Sequence, residues 1–209
     1  MCYHISQRHS VPEIEERFHA EFENQEYEPV VHVNGFNYPE TPVITNTDRD
    51  SIQLFNWGLV PHWAKKDFKR SNTLNARCET LSEKPSFRNS VNNRCLVIAD
   101  GIYDWQDVKG SKDKQCYFIT QPQNQLFAFA GLYSSWIHPE TNKKLFTYTI
   151  VTTVANPTFQ EIHNHIDDDR MLLMLKPEQE KLWLDGINFE HSMDIPLVAT
   201  PIPSILKKK

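Results

Sequence analysis

The chain has 209 residues, with 22 Lys and Arg against 27 Asp and Glu, a formal charge of -5 and a pI near 6.0. That balance excludes a globally basic nucleic-acid binder, so any contact with DNA has to come from a local basic stripe. A mean hydropathy of -0.56, 39% hydrophobic residues and no apolar run near the roughly 20 residues that cross a bilayer predict a soluble, cytoplasmic, single-domain protein over residues 1–209, without a leader segment.

Cys2 follows Met1 directly. Removal of Met1 would leave a free α-amine beside the thiol, and only a terminal cysteine offers both nucleophiles from one residue. The amine can condense with an aldehyde to an imine, and the thiol can add to that imine and close a thiazolidine. Unperturbed pKa values of about 7.7–8.0 for the amine and about 8.5 for the thiol put both within reach of neutrality. A cysteine at position two is also compatible with simple packing. Cys2, Cys78, Cys95 and Cys116 show no CxxC spacing, which argues for reduced thiols and against a zinc site or a disulfide framework; no metal or cofactor is expected.

Ser10, Pro12 and Glu13 read as a helix start, and Ile14, Phe18 and Phe22 at four-residue steps form its apolar stripe. From Pro29 the pattern turns to short β-rich runs at Val30–Val33, Pro42–Thr45, Ile52–Trp57, Cys95–Ala99, Cys116–Thr120, Leu126–Ala130, Leu145–Thr153 and Met171–Leu175. Two further helices open at Asn156-Pro157 and at Pro177. At least seven strands with few helices predict an α+β class with a sheet or barrel core. Lys207 to Lys209 read as a frayed, solvated end.

Four stretches carry chemistry. Trp57, Pro61 and Trp63 lead into Lys65, Lys66, Lys69 and Arg70 with Phe68 between them, which suits stacking bases and phosphates of a single strand, or a solvated lysine face over two core tryptophans. Asn75 and Arg77, two residues apart, share one side of an extended chain; Arg77 suits a phosphate, or an ion pair with Glu79. Asp100 and Asp104 flank a glycine turn at the end of an apolar strand, Asp100 as the turn residue and Asp104 as a proton carrier, with a structural role open for either. His163, just past a short helix, suits acid–base work or plain packing, and Asp167 to Asp169 read as a solvated loop or a hard-cation site.

These blocks in this order (Met1-Cys2, Trp57 to Trp63, Asn75 to Thr80, Arg94 to Trp105, Phe129 to Leu132 and Thr149 to Asn164) resemble the SOS response-associated peptidase (SRAP) family, whose members trap abasic sites in single-stranded DNA covalently. The resemblance spans nearly the whole chain. It implies a β-rich α+β fold with a barrel-like mixed sheet core and peripheral helices, and a terminal Cys2 that forms a Schiff base and then a thiazolidine with the ring-opened sugar. It also implies roles: Asn75 orienting the sugar, His163 moving protons in ring opening, Asp104 assisting imine formation and reversal, and His4, Trp57, Pro61, Trp63, Arg77 and Asn164 contacting DNA.

Several positions depart from the family pattern. Asp104 stands where glutamate is usual, Tyr3 and His4 where many members carry glycine and arginine, and Leu172 where proline is usual. The implied partner is single-stranded DNA bearing abasic sites, met by a monomer that is nucleoid-associated when bound. The competing classes are a lyase-like trapping protein, a cysteine peptidase using Cys2 as an N-terminal nucleophile, and a binding module that needs neither amine nor thiol.

Overall fold

A computed structural model of the protein describes residues 2–164, 169–189, 191 and 195–205. In chain order these form β1 (His4–Gln7), α1 (Val11–Phe18), β2 (Glu21–Phe22), β3 (Val30–Asn34), β4 (Glu40–Thr45), β5 (Ser51–Trp57), β6 (Asn75–Arg77), β7 (Arg94–Ala99), β8 (Gly101–Asp107), β9 (Lys114–Thr120), β10 (Phe127–Ile137), β11 (Lys144–Val154), α2 (Pro157–Ile162), β12 (Arg170–Leu172), β13 (Met174–Leu175), α3 (Pro177–Leu184) and β14 (Val198–Ile202). The class is α+β and β-rich, and among the described residues no helix is long and apolar enough to cross a membrane. The positions read as a frayed lysine end and most of the acidic run, including Asp167 and Asp168, lie outside the described residues.

Two sheets build the body. In the larger one, β11, β10, β7, β4 and β5 pair antiparallel in that order, and β5 pairs back onto β11 in parallel at Thr147↔Asn56 and Tyr148↔Trp57. The five strands therefore close into a barrel, which removes the free edges an open sheet would expose. The second sheet has the order β14-β9-β8-β1-β3.

Every residue of β7 is buried, because both its faces are covered. Cys95, Val97 and Ala99 pack into one cluster with Cys2, Ile5, Ile102 and Ile119 of the smaller sheet. Leu96 and Ile98 pack into the other with Ile14 of α1 and Trp183 of α3. Strand β10 pairs beside β7 with Gly131 opposite Cys95, and an added Cβ there would sit 2.7 Å from Cys95 Sγ and 2.9 Å from Val97 Cγ2. Gly131→Ala should therefore lose about 1–3 kcal/mol by overpacking; urea unfolding with no loss of midpoint would contradict the fit described.

The structure revises three readings of the sequence. The first helix ends at Phe18, with His19 left-handed at φ 53° as its cap, so Phe22 lies on β2 rather than completing a helical stripe. The Met171–Leu175 run is two short strands divided at Leu173, whose N–H donates to Val151 O at 2.8 Å. Asp100 and Gly101 mark the crossing from the barrel into the second sheet: Asp100 follows β7 and Gly101 opens β8. A side chain at Gly101 would strike the Phe118 ring at 2.3 Å. Asp100 is fully buried and accepts from Ser6 Oγ at 2.6 Å and Arg8 Nε at 2.7 Å, tying β1 to the crossing.

Candidate active site around Cys2

The crossing at Asp100 sets β1 beside β8, with Ile5 opposite Ile102 and Ser6 opposite Gly101. Cys2, just before β1, is thereby drawn into the space between the two sheets and is only 2% exposed. Its Sγ donates to Asp104 Oδ2 at 3.0 Å. Asp104, on β8, also accepts the backbone N–H of Trp105 at 2.8 Å through Oδ1, and His163 Nδ1 lies 3.3 Å from the same carboxylate.

His163 reaches this place because α2 is short and fastened at both ends. Asn156 Oδ1 accepts from Phe159 N–H at the start, Pro157 occupies the first turn, and the His163 N–H closes the end on Phe159 O at 2.7 Å. The side chain of Asn164 then binds the backbone of Asp107 through both its atoms, at 2.8 and 3.1 Å. That clamp holds the end of α2 against the end of β8, and Asn164 itself remains exposed.

Asn75 arrives from a third direction. Strand β6 pairs in parallel with β11, Asn75 opposite Ile150, and Asn75 Nδ2 donates to the Cys2 carbonyl at 2.9 Å. Its Oδ1 is buried without a hydrogen-bond partner. A buried acceptor left without a donor is costly, and this one belongs to the side chain that holds the Cys2 carbonyl.

Electrostatics place the proton on sulfur. Burial pushes the Cys2 thiol well above its usual range, and the Asp104 carboxylate adds to that by charge and by hydrogen bond. Burial also works to raise Asp104, but the hydrogen bonds from His163 and Cys2, the charge of His163 and the Trp105 N–H outweigh it, so the carboxyl stays below the ordinary carboxylate range. The resting state is a thiol donating to an ionised carboxylate.

The DNA-facing candidates separate into two groups. Trp57 has no exposed surface; its Nε1 donates to Leu74 O at 2.7 Å and its ring stacks on Tyr148, so it is a core residue and cannot meet a base. Pro61 is buried as well. Trp63 is 49% exposed, edge-on to Phe68, beside exposed Lys65, Lys66 and Lys69, with Arg77 exposed on β6. Arg70, read with that stripe, donates to the carbonyls of Trp57 and Gly58 at 3.0 Å and fixes the turn in which Gly58 takes φ +99°. Lys66 pairs with Glu140 at 2.6 Å.

Two features escaped the sequence reading. Glu79 forms a bidentate pair with Arg170 at 2.9 Å, an arginine 91 positions away that local spacing does not reveal. His4 Nδ1 lies 2.9 Å from His32 Nε2; the only signal for His32 was a polar break in the run Val30 to Val33.

The chain is similar to several known proteins. YoqW of Bacillus subtilis (strain 168), named an abasic site processing protein, is 42% identical over 147 residues, 70% of this chain and 62% of that protein. HMCES of Pongo abelii, also named an abasic site processing protein, is 33% identical over 164 residues, 64% of this chain and 45% of its own. The chain thus spans less than two thirds of the length of these relatives. A crystal structure of a protein from Bacteroides thetaiotaomicron matches with a TM-score of 0.87 at 29% identity, over 97% of this chain and 92% of that one. The family model described as SOS response associated peptidase (SRAP) matches residues 1–206, and the chain belongs to that family.

Proposed function

We propose that this protein processes abasic sites in single-stranded DNA by covalent capture on Cys2. The observation that carries the reading is the cluster itself: a cysteine directly behind Met1, its thiol on Asp104, Asp104 beside His163, and Asn75 on the Cys2 carbonyl with its own Oδ1 unsatisfied. Asp104 and His163 are the proton carriers, and Asn75 Oδ1 accepts a hydrogen bond from a sugar hydroxyl of the opened abasic site. The names of the YoqW and HMCES relatives support the same substrate class.

The chemistry requires release of Met1, since the Cys2 nitrogen is otherwise an amide. The freed amine adds to the aldehyde, one water leaves with a proton supplied through the Asp104–His163 pair, and an imine results. The sulfur then bonds to the imine carbon while the thiol proton passes by way of Asp104 to the nitrogen. The net change is loss of one water and closure of a thiazolidine. A hydrolytic role for a Cys2 thiolate is less well supported, because burial and the adjoining carboxylate both keep that thiol protonated.

Incubation of protein with single-stranded DNA carrying one abasic site, followed by a denaturing gel, tests the reading, with mass spectrometry confirming loss of Met1. The native protein should give a heat-stable shifted band, and Cys2→Ala should give none. Both Cys2→Ala and Cys2→Ser keep the amine and lack the thiol, so borohydride reduction of the imine should bring out a band from each where none appears without it. A band of equal strength from native protein and Cys2→Ala without borohydride would end the proposal.

A further inference from the structure

We propose that the His4–His32 pair makes DNA binding by this protein proton-linked: one proton is taken up and shared by the two imidazoles when a backbone phosphate settles beside them. The inference rests on the reading of single-stranded DNA as the ligand, but not on covalent capture.

The geometry of the pair is specific. His4 Nδ1 and His32 Nε2 are 2.9 Å apart, the ring centroids are 5.1 Å apart and the planes differ by 21°. The centroid separation exceeds the nitrogen separation by close to two imidazole radii, so the rings lie end to end with one nitrogen aimed at the other. Two imidazoles chelating a metal would aim their lone pairs at a third point, which draws the centroids closer at the same nitrogen separation. This is a hydrogen bond along a common line.

Such a bond admits two states and forbids a third. Two neutral rings satisfy it, with one N–H and one lone pair. An imidazolium and an imidazole satisfy it more strongly, because the donor is charged. Two imidazolium rings face N–H to N–H and break it. The pair therefore accepts one proton as a unit.

Its surroundings keep that proton off when no ligand is present. Burial pushes His4 down to about 4, helped by His32 and opposed by the Asp104 carboxylate, and burial lowers His32 too. The neighbours on each packed element are His4 from β1, His32 from β3, and Tyr103, Asp104 and Trp105 from β8. Tyr103 sets its edge against His32 and Trp105 against His4. Arg8, just past the end of β1, is committed to Asp100.

The location supplies the ligand. His4 is two residues from Cys2, about 7 Å along an extended chain, and both residues are partly exposed. A phosphate of a strand whose sugar lies at Cys2 comes within reach of the pair, and its negative charge reverses the balance and favours the protonated state. On a chain of net charge -5, a cation that forms only against a phosphate adds attraction without adding a standing positive charge.

The test uses an intact, fluorescently labelled single-stranded oligonucleotide without an abasic site, so no cross-link forms. Anisotropy titrations at constant ionic strength from pH 5.5 to 8.5 should show the dissociation constant rising up to about tenfold per pH unit, the slope of one linked proton. His4→Gln and His32→Gln should flatten that slope, and His4→Lys should bind tightly and nearly independently of pH. A native protein with no pH slope, or a slope retained in both glutamine variants, overturns the proposal. Ring-nitrogen NMR of histidine-labelled native protein gives a reading that needs no variant: addition of the oligonucleotide at pH 7 should convert one His4–His32 signal set to imidazolium, and unchanged signals on a saturated complex refute the linkage. Absence of a cross-link on abasic DNA alongside a retained pH slope would sink covalent capture and leave the proton linkage standing.

Discussion

Asp104→Asn should slow formation of the cross-link with abasic single-stranded DNA by about 10²- to 10⁴-fold, the usual worth of a positioned proton carrier, while making Cys2 more reactive toward a simple alkylating agent. The two effects have one origin. The carboxylate holds the thiol protonated, second only to burial, so an uncharged amide of the same size lowers the thiol pKa and raises its thiolate fraction. On the proposed mechanism the same change removes the group that passes protons between sulfur, imine nitrogen and His163. Asn Oδ1 can still accept the Trp105 N–H that Asp104 now takes at 2.8 Å, so the local backbone has no reason to move. Single-turnover gels and iodoacetamide mapping of the Cys2 peptide, run on one preparation, measure both. Cross-linking and alkylation falling together would point to a collapsed site instead of a lost proton carrier.

Trp57→Ala should cost about 3–5 kcal/mol, the range for removing a large aromatic ring from a core. The ring is fully buried, stacks on Tyr148, and lies against Gly35, where an added Cβ would come within 3.0 Å of it. Its loss also removes the shorter of two hydrogen bonds to the carbonyl of Leu74, next to Asn75 in the chain, leaving only that from the Ile150 N–H at 3.1 Å. Against a total stability of about 5–15 kcal/mol, the expected drop in melting temperature is about 6–20 °C. A variant that melts within two or three degrees (~2–3 °C) of the native protein while losing DNA affinity would restore Trp57 to the binding surface.

The elements legible in the sequence are those whose own residues insist on them. Cys95 to Ala99 and Leu145 to Thr153 are apolar and β-branched, and both proved to be barrel strands. The missed strands β1 (His-Ile-Ser-Gln), β2 (Glu-Phe), β8 (Gly-Ile-Tyr-Asp-Trp-Gln-Asp) and β14 (Val-Ala-Thr-Pro-Ile) are mixed in polarity; they are extended because neighbours hold them, which no local pattern records. Cys2, Asn75, Asp104 and His163 were selected one at a time and the fold brings them together. Asp100 and Asp104 look alike in sequence, and only the crossing between sheets separates a buried structural anchor from the carboxylate on the thiol. Aromatic residues interleaved with lysines gave Trp57, Pro61 and Trp63 equal weight, because composition does not say which ring points inward.

The order in which the ribosome makes these groups has its own consequence. Cys2 emerges ahead of its hydrogen-bond partners Asn75 and Asp104, which follow 73 and 102 positions later, and the strand pair that closes the barrel joins β5 to β11. At typical elongation rates of about 5–20 residues per second, the thiol stays uncovered for several seconds. Any enzyme that must reach the first residues has that interval, before burial shuts it out. An oxidant has the same interval, which makes synthesis, and not the finished protein, the period when this cysteine is most easily spoiled.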